Sequence, residues 1–437
     1  MSKLLVFCID ALCSSDIEKM RIMPHFGPMI ENGSYVRNIM PVWPALTYCC
    51  HTSILTGCYV DKHGIAHNEK LRRGGFLQEP WFSKKQDVLA PTLLDTAREH
   101  GRSTCSLSWP VSGGAEYDMN MPMIVPYEYT GWEPEKWLKG TATQNLLDRY
   151  FFKHGRYIMG PDRSLDLFTM ALALDILEDF DQPDVMLVKM CDLDSRRHTY
   201  GVHHAKVDDQ LRKHDAEFGA IVEALRRKGT LDDTNLVILG DHGMTDVKDV
   251  LLLNVLLRKQ GFLQTDESGA LTGFDAIAHS TGLGAFIELS NPDDLIMKEK
   301  VRSFLESLKE NSDIQLTQVM DAAQAKREFH LEGPFDFVLT SKLPISFGEQ
   351  LTGDAIWGSQ VPGDHKIGAA THGGDPNREE LTAFLACGPD IQKGVVVERR
   401  SMVDEASTMA RMMGFDMPNT DGAVIEEILR SSYANQA

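Results

Sequence analysis

Four short apolar runs mark the chain, and each stops at a turn or an acidic residue. Leu4–Ile9 ends at Asp10, and Val185–Met190 ends at Cys191-Asp192-Leu193-Asp194. Asn235–Leu239 ends at Gly240-Asp241-His242-Gly243, and Thr382–Ala386 runs out at Gly388-Pro389. Runs of this length bounded by turn residues predict buried strands, and their lack of polar alternation predicts parallel pairing. Between them the period changes. Val207, Leu211, Phe218, Ile221, Val222 and Leu225 fall mostly three or four apart, predicting a helix over Ala205–Lys228. Thr92–His100 reads as another helix, stopped by Gly101. Strands alternating with helices predict an α/β fold: a doubly wound, mostly parallel central sheet with helices on both faces.

Two stretches depart from this rhythm. From about Asn68 to Gly160 the chain is rich in Trp, Pro, Gly and Tyr and reads as long loops over one face. From Ala278 to Gly363 it carries its own small pattern: strand Ala285–Leu289, helix Asp294–Leu308, and strands Ile314–Val319 and Phe335–Thr340. The expected organisation is a core of residues 1–277 and 364–437, with residues 278–363 as an inserted α+β cap.

Composition narrows the function. Of 437 residues, 44 are Lys or Arg and 63 are Asp or Glu, a formal charge of −19. That balance argues against a nucleic-acid or anionic-membrane surface. No run approaches the roughly 18 apolar residues of a membrane span. The eight cysteines form no C-x-x-C pair, and the N-terminal apolar run meets Asp10 too soon for a signal peptide. A cytoplasmic protein with reduced thiols is expected. Its oligomeric state is left open.

In an open α/β sheet the ligand crevice lies beyond the carboxyl ends of the strands. Asp10, Asp194 with His198, and Asp241 with His242 fall at those ends, and His372 shortly precedes the Thr382 strand. Singly each is ordinary, because an Asp after a strand usually caps a helix. Together they concentrate negative charge, which a cation relieves. Carboxylate and imidazole without thiolate suit Zn²⁺, with Mn²⁺ or Fe as alternatives. Thr47, between Pro44 and Gly57, would begin a helix whose N-terminus favours an anion. It is either a nucleophile or a plain N-cap.

The order Asp10, Thr47, Thr56-Gly57, His63-Gly64-Ile65, Asp194-x-x-x-His198-x-x-Gly201, Asp241-His242-Gly243-Met244 and His372-Gly373 resembles the alkaline phosphatase superfamily. Within it, the sequence is most similar to the type I phosphodiesterase/nucleotide pyrophosphatase branch. The tail Met402-Val403-Asp404…Asp421-Gly422 resembles the superfamily's closing segment. The resemblance implies two metal sites, Asp194/His198/His372 and Asp10/Asp241/His242 with the Thr47 oxygen. It further implies in-line attack by Thr47 on phosphorus, a phospho-threonine, and its release by water. The implied reaction is cleavage of a phosphodiester or nucleotide pyrophosphate bond in a small phosphate ester or nucleotide, with phosphomonoester or phosphonate hydrolysis and an inactive metal-binding homologue as the alternatives.

Two positions depart from the family pattern. Where the family has Asn, three residues after the nucleophile, this chain has Cys50, a poor donor. Arg197 replaces the Gly of Asp-x-x-Gly-His. Arg196 and Arg197 either face solvent or turn inward, where a guanidinium would donate to the phosphate in place of the absent Asn. Tyr48, Trp43 and the Tyr127–Trp137 stretch are candidate surfaces for a substrate ring. His365 reads as a loop residue.

Overall fold

The computed structural model describes residues 2–71, 73, 81–123, 133–159 and 163–430. The strands that matter for the site are β1 (Lys3–Ile9), β2 (Ser34–Met40), β3 (Thr104–Leu107), β4 (Met119–Met121), β5 (Val185–Met190), β6 (Thr234–Leu239), β7 (Ala276–Ser280), β8 (Gly284–Leu289), β9 (Leu316–Asp321), β10 (Phe337–Ser341), β11 (Thr382–Cys387) and β12 (Val396–Ser401). The helices are α1 (Thr47–Thr56), α2 (Leu165–Asp179), α3 (Asp192–Tyr200), α4 (Ala205–Lys228), α5 (Leu295–Glu310) and α6 (Asp404–Met412).

Eight strands form the main sheet in the order β12-β2-β11-β6-β1-β5-β3-β4. The apolar runs are buried on both sides because successive residues point to opposite faces. Leu4, Val6 and Cys8 enter one core with Val185, Leu187, Val237 and Leu239, against α1 and α6. Leu5, Phe7 and Ile9 enter the other with Met186, Val188 and Ile238, against α2 and α4. This is the doubly wound arrangement expected, with β1 at its centre.

The expectation of parallel pairing fails at one strand. β11 runs antiparallel to both neighbours, β6 and β2. An apolar run carries no mark of direction, so periodicity could not have shown this. The reversal has a use: the start of β11, rather than its end, meets the carboxyl edge of β6, and so the loop carrying His372 reaches that edge. The stretch read as long loops also holds more order than expected. It supplies β3 and β4 and, besides the helix expected there and found at Leu93–Glu99, a helix at Gln144–His154.

A separate antiparallel sheet, β7-β8-β10-β9, packs with α5 around its own core. Trp43 belongs to the seam between the two bodies. It is 1% exposed, and its ring meets Phe329 edge-on at 4.5 Å, so it packs there and does not face a ligand. No helix among the described residues is long and apolar enough to cross a membrane.

Candidate active site

The carboxyl ends of β1, β5 and β6 lie side by side and deliver Asp10, Asp194 on α3, and Asp241-His242 to one crevice. Asp10, Asp241 and His242 offer ligand atoms all within 4.8 Å of one another, as do Asp194, His242 and His372. His242 Nε2 lies 3.4 Å from Asp10 Oδ1 and 3.3 Å from Asp241 Oδ2. Asp194 Oδ1 lies 3.2 Å from His198 Nε2 and 3.8 Å from His372 Nε2.

Backbone carbonyls set the tautomers of all three histidines. Nδ1 of His242 donates to Gly243 O at 3.0 Å, that of His198 to Ala370 O at 2.8 Å, and that of His372 to Ala45 O at 2.6 Å. Each ring therefore turns a bare Nε2 lone pair inward, the outer-shell arrangement that orients histidine ligands on metals. Asp241 is prepared in the same way. Its Oδ1 accepts the N–H groups of Ala11 and His242, both at 3.0 Å, leaving Oδ2 inward. Among the described residues, Asp10 Oδ1, Asp241 Oδ2, Asp194 Oδ1 and His198 Nε2 are buried without a hydrogen-bond partner. Orphaned atoms of this kind are costly unless a further group satisfies them, and divalent cations fit this donor set. Charge points the same way: burial and the Asp241 carboxylate push Asp10 above the usual carboxylate range, with Lys189 acting against them.

Thr47 opens α1, which ends at Gly57 in the left-handed conformation. Its Oγ1 lies 3.3 Å from His242 Nε2, beside the Asp10/Asp241/His242 group. His372 is held by a turn that demands glycine. Gly373 has φ +94°, and a Cβ there would collide with the Thr281 carbonyl oxygen. The His-Gly pair thus has a steric cause.

Of the residues expected to touch substrate, Tyr48 reaches the crevice. It lines a cavity of about 460 Å³ above Thr47, with Trp81 edge-on at 5.5 Å. Cys50 does not touch it: the side chain is fully buried in the core, one helical turn beyond Thr47. Arg197 is corrected as well. It is neither solvated nor turned to the cavity, but buried against Asp16, with Nη2 2.6 Å from Asp16 Oδ2 and Nη1 donating to Ala11 O. Asp16 draws it to the back of α3, away from substrate. Arg196 is exposed. Most of the Tyr127–Trp137 stretch lies outside the described residues. His365 stands in a turn and lines the cavity, its ring 5.3 Å from Trp81.

One residue escaped the sequence reading. Asn68 lines the cavity, and its Oδ1 accepts the Tyr48 N–H at 3.0 Å. That bond fixes the carboxamide so that its NH₂ is the group left to donate beside Thr47. Asn68 offers the amide donor that Cys50 lacks.

The fold and site can be set beside known proteins. The sequence profile of the family described as type I phosphodiesterase/nucleotide pyrophosphatase matches residues 4–374. The chain belongs to the type I phosphodiesterase/nucleotide pyrophosphatase family. Among its relatives is ectonucleotide pyrophosphatase/phosphodiesterase family member 7 of Rattus norvegicus, 23% identical over 93% of this chain and 83% of that protein. A venom phosphodiesterase of Macrovipera lebetinus is 22% identical over 56% of this chain, but only 26% of that longer protein is covered. Murine ectonucleotide pyrophosphatase/phosphodiesterase 5 superposes with a TM-score of 0.68 at 18% identity, covering 98% of this chain and all of the other. An inactive variant of it, solved in complex with AMP, gives 0.66 at 16% identity. As a type I phosphodiesterase/nucleotide pyrophosphatase, the chain is a hydrolase of a metal-dependent family.

Two histidines of this phosphodiesterase are structural and give a pH prediction. His63 and His67 each accept a backbone N–H at Nδ1 and donate from Nε2, to Ser53 Oγ and Ser280 O. Burial lowers them to about 3 and about 4. Between those values and the ordinary 6.5 the folded state binds fewer protons than the unfolded one. Stability present above pH 6.5 is therefore lost as pH falls, at ~1.4 kcal/mol per pH unit for each histidine. In urea titrations of metal-free protein from pH 6.5 to 5, His67→Gln should flatten this slope by about one proton's worth. An unchanged slope would count against the buried neutral assignment.

Proposed function

We propose that the chain cleaves small phosphodiesters or nucleotide pyrophosphates with Thr47 as nucleophile, between two divalent-cation sites. The observation that carries this is the convergence of orphaned Asp and His atoms on Thr47 at the floor of one cavity. One site would use Asp10, Asp241, His242 and the Thr47 oxygen, and the other Asp194, His198 and His372. Ions held there would supply positive charge for the attacking and leaving oxygens, and zinc suits the donors best.

The remaining work falls to the chain. The Thr47 oxygen bonds to phosphorus while the opposite P–O bond breaks, and water later releases the phosphate from threonine. The Asn68 NH₂ donates to a non-bridging phosphate oxygen. Tyr48 and Trp81 offer an aromatic wall, and Met123, Ile158 and Leu165 an apolar one, for the second substituent of a diester. AMP in the murine relative's complex supports a nucleotide as the class of ligand. The eight unpaired cysteines support a cytoplasmic placement as part of the same proposal.

Elemental analysis should find two divalent ions per chain, and chelation should abolish turnover. Bis-nitrophenyl phosphate should be cleaved with a higher kcat/KM than the monoester, because a walled cavity binds the second ring. Asn68→Ala should cost about 1.5–3 kcal/mol of charged hydrogen bonding, roughly ten- to a hundred-fold in kcat/KM. A monoester preference in the wild type would move the assignment to a phosphomonoesterase.

A further inference from the structure

Every residue of β5 is apolar except Lys189, and that lysine is fully buried. The register explains where it points. Lys189 pairs with Cys8 of the parallel neighbour β1, so its side chain shares a face with Cys8 and, two residues on, Asp10. Its Nζ lies 2.6 Å from Asp10 Oδ2, with Cys191 Sγ at 3.1 Å and Met123 Sδ at 3.6 Å as its other neighbours. The two Asp10 oxygens are thereby divided. Oδ2 belongs to the ammonium, and Oδ1 is the orphaned atom 3.4 Å from His242 Nε2.

Burying an ammonium costs several kcal/mol, and an apolar side chain would fill this strand position without that penalty. Charge counting shows what the lysine changes. Asp10, Asp194 and Asp241 carry three negative charges, and two divalent ions would leave +1. Lys189 makes this +2. When Thr47 gives up its proton, the centre stays at +1 with the lysine and falls to zero without it. The benefit grows with the negative charge of the substrate. The same charge repels the ions the site must hold.

We propose that Lys189 is a positioning and charge-setting residue of the active site: it confines Asp10 to one free oxygen and keeps the centre cationic, while weakening metal affinity, so that more highly charged phosphate esters remain substrates. The proposal rests on the reading of Asp10 as a metal ligand.

The test uses the full-length chain stripped of metal. Zinc affinity is measured by competition with a chromophoric chelator, alongside kcat/KM for bis-nitrophenyl phosphate and nitrophenyl phosphate. Lys189→Met should bind the weaker-held zinc at least ~10-fold more tightly, since a like charge has been removed beside it. The monoester-to-diester ratio of kcat/KM should fall ~10-fold, and Lys189→Arg should restore both values. A lysine with only a structural role would give weaker zinc binding and an unchanged ratio, and either unchanged or weaker binding overturns the proposal. Lys189→Gln serves as a second variant, and failure of both to fold would show a structural ion pair and overturn it too. Asp10→Asn separates the two readings. If it keeps both zinc ions, the ligand reading fails and takes this one with it. If it loses one while Lys189→Met leaves affinity unchanged, Lys189 alone is misread.

Discussion

Thr47→Ala should lower kcat by at least about a thousandfold while the protein stays folded and keeps its metal ions. The helix start places the Thr47 hydroxyl 3.3 Å from His242 Nε2, and alanine has nothing to put there. The cost to folding should be small. Thr47 is the first residue of α1, where alanine is a good helix former, and the change removes two heavy atoms from a site at the cavity floor. The Asp and His atoms around it are oriented by backbone groups of Ala11, Gly243, Ala370 and Ala45, none of which depends on the threonine side chain. Thr47→Ser should recover part of the rate because the oxygen survives. Single-turnover kinetics and zinc content measured on one preparation decide the matter. Wild-type turnover in Thr47→Ala would mean that water attacks phosphorus directly.

Arg197→Ala should destabilise the protein by about 3–5 kcal/mol, because it strands a buried carboxylate. Asp16 is almost fully enclosed, and its Oδ2 accepts from both Arg197 Nη2 and the Cys13 N–H. Removing the guanidinium leaves that charge with one neutral donor. The defect should appear as a lower urea midpoint, and the diester-to-monoester ratio of kcat/KM should not change, since the Arg197 side chain is buried against Asp16 and does not line the cavity. Pairing Arg197→Met with Asp16→Asn should recover most of the stability, because the charge disappears with its partner. A change in the substrate ratio with unaltered stability would place the guanidinium in the cavity after all.

These two residues show how far the sequence could be read. Asp10, Asp194, Asp241, His242 and Thr47 were legible because each sits where a hydrophobic run or helix pattern breaks, and a polar group at such a break faces the sheet edge. Arg197 was not legible: its partner lies 181 residues earlier, and a charge between two candidate ligands looks the same whether it faces substrate or core. Asn68 was missed for a related reason. It lies in an irregular stretch, and only its bond to the Tyr48 N–H places its amide. Among the strands, β12 is largely exposed and reads Val-Val-Glu-Arg-Arg-Ser, without the apolar run that reveals a buried one. The direction of β11 depends on where the chain returns from the small antiparallel sheet, which no local pattern records.

The division between floor and walls has an evolutionary consequence. The reactive groups come from ends of the rigid central sheet, where one substitution disturbs neighbours on several strands. The walls come from separate excursions: Glu69 and Trp81 from one, Ile158 and Met159 from another, Ser280 and Thr281 from the edge of the small sheet, and His365 and Lys366 from a turn. The polar members are tied to one another, with Lys366 Nζ 2.8 Å from Glu69 Oε1 and the Trp81 ring 5.3 Å from His365, but the apolar ones can drift more freely. Libraries randomised at Met123, Ile158 and Met159 should therefore yield many folded, active catalysts with altered leaving-group choice, while equal numbers of changes along the floor should yield almost none. A lineage built this way can change what it consumes many times over while its chemistry stands still.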